Sequence, residues 1–299
     1  MQRFTLEQLA TLLALVDEGS FDVAATRLHV TPSAVSQRVK AMEQTCGQVL
    51  VQRTTPVRLT DAGNVLLRFA RQVELLEADT VRQLHDGRSD GGVFLVSLAV
   101  NADSLATWFL DALAGLGESL GVAFDLNRED QEHTTRLLRA GTVMAAVTST
   151  REAVQGCVTE LLGQMRYRAV ATPAFIARWL PSGASLDDLS RAPVVAFERN
   201  DDLQEAFLRE HTGTGSSGPV HYIPTSNDFV RAILLGFGWG MLPEQQCAAE
   251  IADGRLVDLA PEKAVDVELF WQRWNLASPL LDAVSAAVRA EARATLRPF

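Results

Sequence analysis

Near the amino terminus the apolar positions fall at helical spacing. Leu6, Leu9, Leu13 and Val16 predict a first helix from Thr5 to Glu18, with Thr5 as its cap and Gly19 as its end. Ser20 is placed to cap a second, short helix whose inner face carries Phe21, Ala24, Ala25 and Leu28. The two alanines leave room for a close neighbour. After His29 and Val30, Thr31 and Pro32 open a third helix. Its Val35, Val39 and Met42 share one side, while Ser33, Gln37 and Lys40 share the other, with Ser36 at the edge. Two helices joined by so short a turn, the second polar on its outer face, predict a helix-turn-helix. An isolated solvated surface helix is the plainer alternative for the third helix alone.

Beyond Gly47, the residues Leu50, Val51, Val57 and Leu59 predict two short strands around a Thr54-Thr55-Pro56 turn, a wing. Thr60 to Gly63 opens a long helix running to about His85. Its stripe of Leu66, Phe69, Val73, Leu76 and Val81 is longer than a small winged domain buries. A second copy of the helix is the expected cover, and the chain's own second domain is the alternative. Asp86 to Gly92 reads as a linker.

The rhythm then becomes alternating strands and helices. Strands are expected at 93–100, 122–126, 143–148, 167–172, 193–197 and 265–271, and helices at 105–116, 131–140, 203–211, 229–235 and 280–296. That order predicts an α/β body with a largely parallel sheet, in two lobes facing across a cleft. Gly213 to Gly218 is a flexible loop and not a phosphate loop, since no GK[ST] ending follows and no strand feeds it.

Charge sharpens the picture at one end only. The formal net charge of the 299 residues is −10, so bulk attraction to nucleic acid is not what points to DNA. Yet Arg27, Arg38, Lys40, Arg53 and Arg58 lie in a stretch opposed only by Glu43, a local basic footprint. Small residues at the start of the third helix permit close approach, an amide reads a base edge and cations meet phosphates. The candidate DNA-contacting residues are therefore Thr31, Pro32, Ser33, Ser36, Gln37, Arg38 and Lys40, with Arg53 and Arg58 on the wing.

The three cysteines are scattered, with neither CxxC nor zinc spacing, and fit a reduced cytoplasmic setting. The amino terminus lacks a signal-peptide pattern, and no run of about 18 apolar residues predicts a membrane span. There is no GxSxG, no HExxH and no pair of metal ligands at motif spacing. No catalytic residue, metal or cofactor is expected. An α/β enzyme with a triad assembled in space, or a free-standing solute-binding module, remains the alternative class.

The set Ser20-Phe21, Ala24-Ala25, Leu28, Pro32, Ser33, Val35-Ser36, Glu43, Gly47, Arg53, Leu59-Thr60 and Ala62-Gly63 resembles the LysR-type transcriptional regulators in order and spacing. Gly238 to Pro243 resembles the family's glycine-containing segment in the second lobe. The resemblance implies an amino-terminal winged helix-turn-helix, a long dimerising linker helix and a two-lobed, periplasmic-binding-protein-like effector domain. It further implies tetramers on promoter DNA. Where the family commonly has Leu-Phe-x-Arg, this chain has Leu50-Val51-Gln52-Arg53, a smaller plug for the same pocket. A narrower resemblance, of Ala99 to Phe109 with VSQRVKAME and PVVAF, is to the ArgP/LysG branch. That branch implies a response to lysine or arginine and control of basic amino acid export. Expected partners are double-stranded promoter DNA, an amino acid effector, a second copy through residues 61–85 and RNA polymerase.

The expected domains are a winged head at 1–60, a linker and dimerisation helix with hinge at 61–91, and an effector domain at 92–299. Lobe I takes about 92–165 and 269–299, and lobe II about 166–268. The effector site is expected at the carboxyl end of the first body strand. Asn101, Ala102, Asp103 and Ser104 open a helix there, whose free N–H groups favour a carboxylate. Asp103 and Ser104 serve equally well as simple caps. Asp103 is a candidate for the α-ammonium. Glu129 and Asp130 are candidates for the side-chain cation, or form a solvated turn. Thr148 is a candidate donor to the carboxylate, and Asp228 is a candidate to close the site from lobe II. Trp108 and Trp239 are expected in the core. Lysine and arginine are not distinguished, because both present a carboxylate, an ammonium and a distal cation.

Overall fold

The computed structural model describes residues 3–84, 93–128, 131–181 and 185–299, and only the backbone of 131–133. The expected linker at 86–92 lies outside them.

The head is built from α1 (Leu6–Glu18), α2 (Phe21–Arg27), α3 (Pro32–Cys46), β1 (Val51–Gln52), β2 (Arg58–Leu59) and the first half of α4 (Asp61–Leu84). Thr5 caps α1 in a reciprocal box with Gln8, and the Thr31 hydroxyl accepts from Ala34 N–H at the start of α3. Ser20 occupies the cap position of α2, but its side chain makes no capping bond. Leu9, Leu12, Leu13, Leu15, Ala24, Val39, Met42 and Leu50 form one core, closed by Leu66, Leu67 and Ala70 of α4. Gly63 lets α4 cross that core, since a Cβ there would sit 2.2 Å from the Leu50 carbonyl oxygen.

The body runs β3 (Phe94–Val100), α5 (Ala102–Thr107), α6 (Phe109–Leu113), α7 (Leu116–Leu120), β4 (Val122–Arg128), α8 (Gln131–Ala140) and β5 (Ala145–Thr148). There follow β6 (Cys157–Ala171), α9 (Pro173–Trp179), α10 (Leu186–Leu189), β7 (Val194–Ala196), α11 (Leu203–Thr212), β8 (Val220–Tyr222) and α12 (Ser226–Leu234). It closes with β9 (Gly240–Pro243), α13 (Glu244–Ala252), β10 (Val257–Asp258), β11 (Val265–Trp274) and α14 (Pro279–Thr295). The single helix expected over 105–116 is instead three short ones. It breaks at Trp108, whose φ is −134°, and at Gly115, whose φ is +77°.

The main sheet has the order β10-β6-β11-β5-β3-β4, with β9 also on β6. It is not largely parallel. Among the described strands, parallel pairing is limited to β3 with β4 and β5, and β7 with β8. The reason is the pair β6 and β11, which run antiparallel from Cys157↔Trp274 to Tyr167↔Val265. Strand β5 pairs with the Phe270–Arg273 end of β11, whereas β9 and β10 pair with the Tyr167–Ala171 end of β6. The two long strands thus serve one lobe at each end. Their register shifts between Leu269 and Phe270.

Helix α4 belongs to both cores. Leu75 is buried in the body's main cluster, and the Ser278 hydroxyl donates to Asp79 Oδ2 at 2.5 Å. Arg68 Nη1 donates to the Gln155 carbonyl at 2.6 Å. Packing against the chain's own second domain is therefore realised on one side of the helix. The expected stripe divides: Leu66 turns into the head, while Phe69, Leu76 and Val81 stay exposed beside Val65 and Leu84. Val65 and Phe69 line a hollow of about 550 Å³ together with Phe4, Cys46 and Leu50.

At Gly141, with φ +78°, a Cβ would lie 2.4 Å from the Arg68 Cα. Gly141→Ala is expected to lower stability by about 1–3 kcal/mol, because both the backbone conformation and the helix contact are lost. Urea unfolding measures it, and an unchanged midpoint would contradict this packing.

Candidate functional sites: an outward helix and an interlobe cleft

On α3 the inward residues Val35, Val39 and Met42 are buried, and Thr31, Pro32, Ser33, Gln37 and Lys40 are exposed. Ser36 lies between the two faces. Buried apolar contacts on one side thus hold a row of short polar side chains toward solvent. Arg38 behaves differently from its neighbours. Its guanidinium turns back to α1, pairing with Glu7 at 2.8 Å and bonding the Thr11 hydroxyl at 3.2 Å. It braces the helix pair, and the outward row is left to Ser33, Gln37 and Lys40.

The wing is pinned to α3 by Glu43, whose Oε1 accepts from Leu50 N–H at 3.0 Å and Val51 N–H at 3.3 Å. Val51, the smaller plug, is buried in the head core. Arg53 and Arg58 are both exposed, and Arg53 lies over the Phe21 ring at 5.2 Å. Arg53 therefore sits against the start of α2, on the same head. The paired Thr55–Pro56 bond at the tip is cis.

The second site lies between the lobes. In lobe I the carboxyl ends of the adjacent parallel strands β3 and β5 carry Asn101 to Ser104 and Thr148 to Ser149. Asn101 Oδ1, Ser104 Oγ and Ser149 Oγ are buried and find no hydrogen-bond partner among the described residues. Such groups are costly to bury unpaired, so their convergence marks a polar ligand site. Ala102 begins α5, and the Thr148 hydroxyl accepts from Thr150 N–H at 3.1 Å. Glu129 and Asp130 lie outside the described residues. Ser149 was missed in the sequence because it falls just past the end of the expected strand.

Asp103 is where the lobes meet. Its Oδ2 accepts from the Tyr167 hydroxyl at 2.7 Å and its Oδ1 from the Ser226 hydroxyl at 2.7 Å. Tyr167 stands on the shared strand β6, and Ser226 begins α12 in the opposite lobe. Gln246 Nε2 supports Ser226 at 3.0 Å. Burial pushes the Asp103 carboxyl up; bonds from Tyr167 and Ser226 oppose the rise, and the charge of Asp201 adds to it. Tyr167 is pushed well above its ordinary value by burial and by the Asp103 charge, which keeps it a donor.

Asp228 does not reach across. It is exposed and accepts from the Thr225 hydroxyl at 2.6 Å. The residue that crosses from lobe II is Ser226, because the first turn of α12 buries that position and turns Asp228 to solvent. No sequence signal separated Ser226 from Asp228, since both open the same helix. Arg128, at the end of β4, also crosses: it donates to the Pro224 carbonyl and lies over the Phe197 ring at 5.8 Å. Trp108 and Trp239 are fully buried in the body core.

The raised Asp103 carboxyl has a stability consequence. The folded chain holds that proton more tightly than the unfolded chain, so ionised Asp103 subtracts stability above its raised value. It subtracts nothing once pH falls below the ordinary carboxylate range. Asp103→Asn, measured without ligand, is therefore expected to melt at a higher temperature than the parent at neutral pH. The gain should shrink to nothing as pH falls, and a variant less stable at neutral pH would refute the assignment.

Comparison with known proteins gives a consistent answer for both halves. The description "Bacterial regulatory helix-turn-helix protein, lysR family" matches residues 6–64, and "LysR substrate binding domain" matches residues 89–293. The lysine export transcriptional regulatory protein LysG of Corynebacterium efficiens is 44% identical over 290 residues, covering 97% of this chain and 98% of that one. The crystal structure of ArgP from Mycobacterium tuberculosis is similar with a TM-score of 0.88 and 44% identity, covering 98% of each chain. Full-length LysG from Corynebacterium glutamicum, with bound effector Arg, is similar with a TM-score of 0.80 and 40% identity, covering 99% of this chain and 100% of that one.

Proposed function

The chain belongs to the LysR family of transcriptional regulators, in its LysG/ArgP branch, and on that footing we propose that it senses lysine or arginine and switches transcription of a basic amino acid exporter gene. It is a DNA-binding regulator with an amino acid effector. The observation that carries the sensing role is the cleft itself. Buried oxygens of Asn101, Ser104 and Ser149, unpartnered among the described residues, stand beside the doubly bonded carboxylate of Asp103. That set matches an α-amino acid, with hydroxyls and the α5 backbone for its carboxylate and Asp103 for its ammonium. The arginine held by the C. glutamicum relative supports the same reading.

In this reading α3 enters the major groove. Thr31, Pro32 and Ser33 allow close approach, Ser36 and Gln37 face bases, and Lys40, Arg53 and Arg58 meet phosphates. Arg38 contributes by holding α3 against α1. A second copy covers the exposed Val65, Phe69, Leu76 and Leu84 of α4, and two such dimers form a tetramer on paired sites. The division into a head at 1–60, an arm at 61–91 and a two-lobed body at 92–299 belongs to the same proposal, as do an activator's contact with RNA polymerase and a cytoplasmic location. No helix among the described residues is long and apolar enough to cross a membrane.

Ligand closes the lobes about β6 and β11. Helix α8 ends at Ala140, and Gly141 just after it packs against Arg68 of α4, so movement of this lobe reaches the arm that carries the head. Altered spacing of the paired heads then changes the bend of the promoter.

Footprinting on the protein's own upstream DNA, with and without lysine or arginine, tests the function. Protection that shifts with either amino acid is expected, and no specific protection would refute it. Gln37→Ala is expected to lose about 1–3 kcal/mol of preference for its operator over random DNA. Arg53→Ala should weaken both alike and flatten the salt dependence. Band-shift titrations at two salt concentrations measure both variants, and wild-type discrimination by Gln37→Ala would remove it from base readout.

A further inference from the structure

A regulator that selects a cationic amino acid needs a group that rewards the side-chain charge. The acids expected for this from the sequence were Glu129 and Asp130, which lie outside the described residues, with Asp228 expected to close the site from lobe II. Asp228 is turned outward, and a different lobe II carboxylate holds the better position.

Strand β7 ends at Ala196 and leads into Phe197, whose N–H donates to Asp201 Oδ2 at 3.0 Å. Leu203 N–H donates to Asp201 Oδ1 at 3.1 Å. Each carboxylate oxygen is thus anchored by one backbone donor and keeps acceptor capacity for another. The end of β8 is tied alongside, since Ile223 N–H donates to the Ala196 carbonyl at 2.9 Å. Lobe I lands on this same edge. Arg128 lies over Phe197 and bonds the Pro224 carbonyl, while Asp103 takes the Ser226 hydroxyl. The charge of Asp201 bears on both Asp103 and Tyr167. Independently of these acids, the wholly buried Ser104 hydroxyl beside Asp103 lacks a partner among the described residues.

We propose that Asp201 is the specificity-determining residue of the cleft: with the α-ammonium on Asp103, it receives the side-chain cation of the bound amino acid. The proposal rests on the amino-acid-sensing reading and adds the choice among amino acids. Asp103, Asp201 and Arg128 together carry one net negative charge. An amino acid with a cationic side chain cancels it, whereas a neutral one of the same length leaves that charge in place and Asp201 without a cation from the ligand. The bound amino acid then also favours closure, because its two cations meet carboxylates contributed by opposite lobes.

Calorimetry on the full-length chain, titrated with arginine, citrulline, lysine and norleucine, tests this. The parent is expected to prefer arginine over citrulline and lysine over norleucine by about tenfold or more, the scale of one charge-assisted contact. Asp201→Asn retains an oxygen for one backbone donor, and it should bring each ratio to within about threefold while operator binding in a band shift stays at the parent level. Preserved ratios in Asp201→Asn overturn the inference and leave the sensing reading intact. Equal binding of all four by the parent does the same, and binding of none removes both. A crystal structure of the parent with arginine reads the contact without any variant. The guanidinium should lie about 3 Å from an Asp201 oxygen, and a guanidinium placed elsewhere overturns the assignment.

Discussion

The ladder between β6 and β11 is the constraint on which the rest of this molecule depends. Both strands serve both lobes, so whatever faces the cleft is placed by one shared set of backbone bonds. Tyr167 stands on that ladder and holds Asp103 from below, while Ser226 holds it from the far lobe. The register shift at Leu269 and Phe270, opposite Gly163 with φ +148°, puts the irregular point of the ladder between the two sets of lobe strands. The carboxy-terminal segment secures the same place, since Gln164 and Arg297 exchange two backbone bonds and Arg297 also pairs with Glu244 at 2.8 Å.

The arm helix couples this body to the head because it is buried at both ends by different cores. Leu66, Leu67 and Ala70 lie in the head, and Leu75 and Asp79 lie in the body. Between them, Arg68 presses against Gly141 and bonds the Gln155 carbonyl. A helix held this way transmits displacement as a rigid rod, in contrast to a flexible tether. Its remaining face stays apolar and exposed, which is a surface that a single chain leaves uncovered.

The cleft combines two kinds of polar group with different consequences. Hydroxyl and amide oxygens left without partners among the described residues favour a ligand that brings donors and acceptors of its own. Asp103 instead satisfies its bonds across the lobes and is raised by burial, so it costs stability for as long as it is ionised and uncompensated. Stability and recognition therefore pull on that residue in opposite directions.

The head was legible from the sequence almost residue by residue. Its helices are local, their apolar faces repeat at fixed spacing, and Thr5, Thr31 and Gly47 mark ends through bonds to immediate neighbours. Periodicity also located β3, β4 and α14. Periodicity was silent on the full length of β6, whose half-exposed first portion and Gly163 blur the alternation, and on the antiparallel pairing that follows from it. The inward turn of Arg38, the choice of Ser226 over Asp228 and the position of Asp201 were decided only by the tertiary structure. Each depends on which residues distant in sequence arrive at the same place, and spacing along one element carries no information about that.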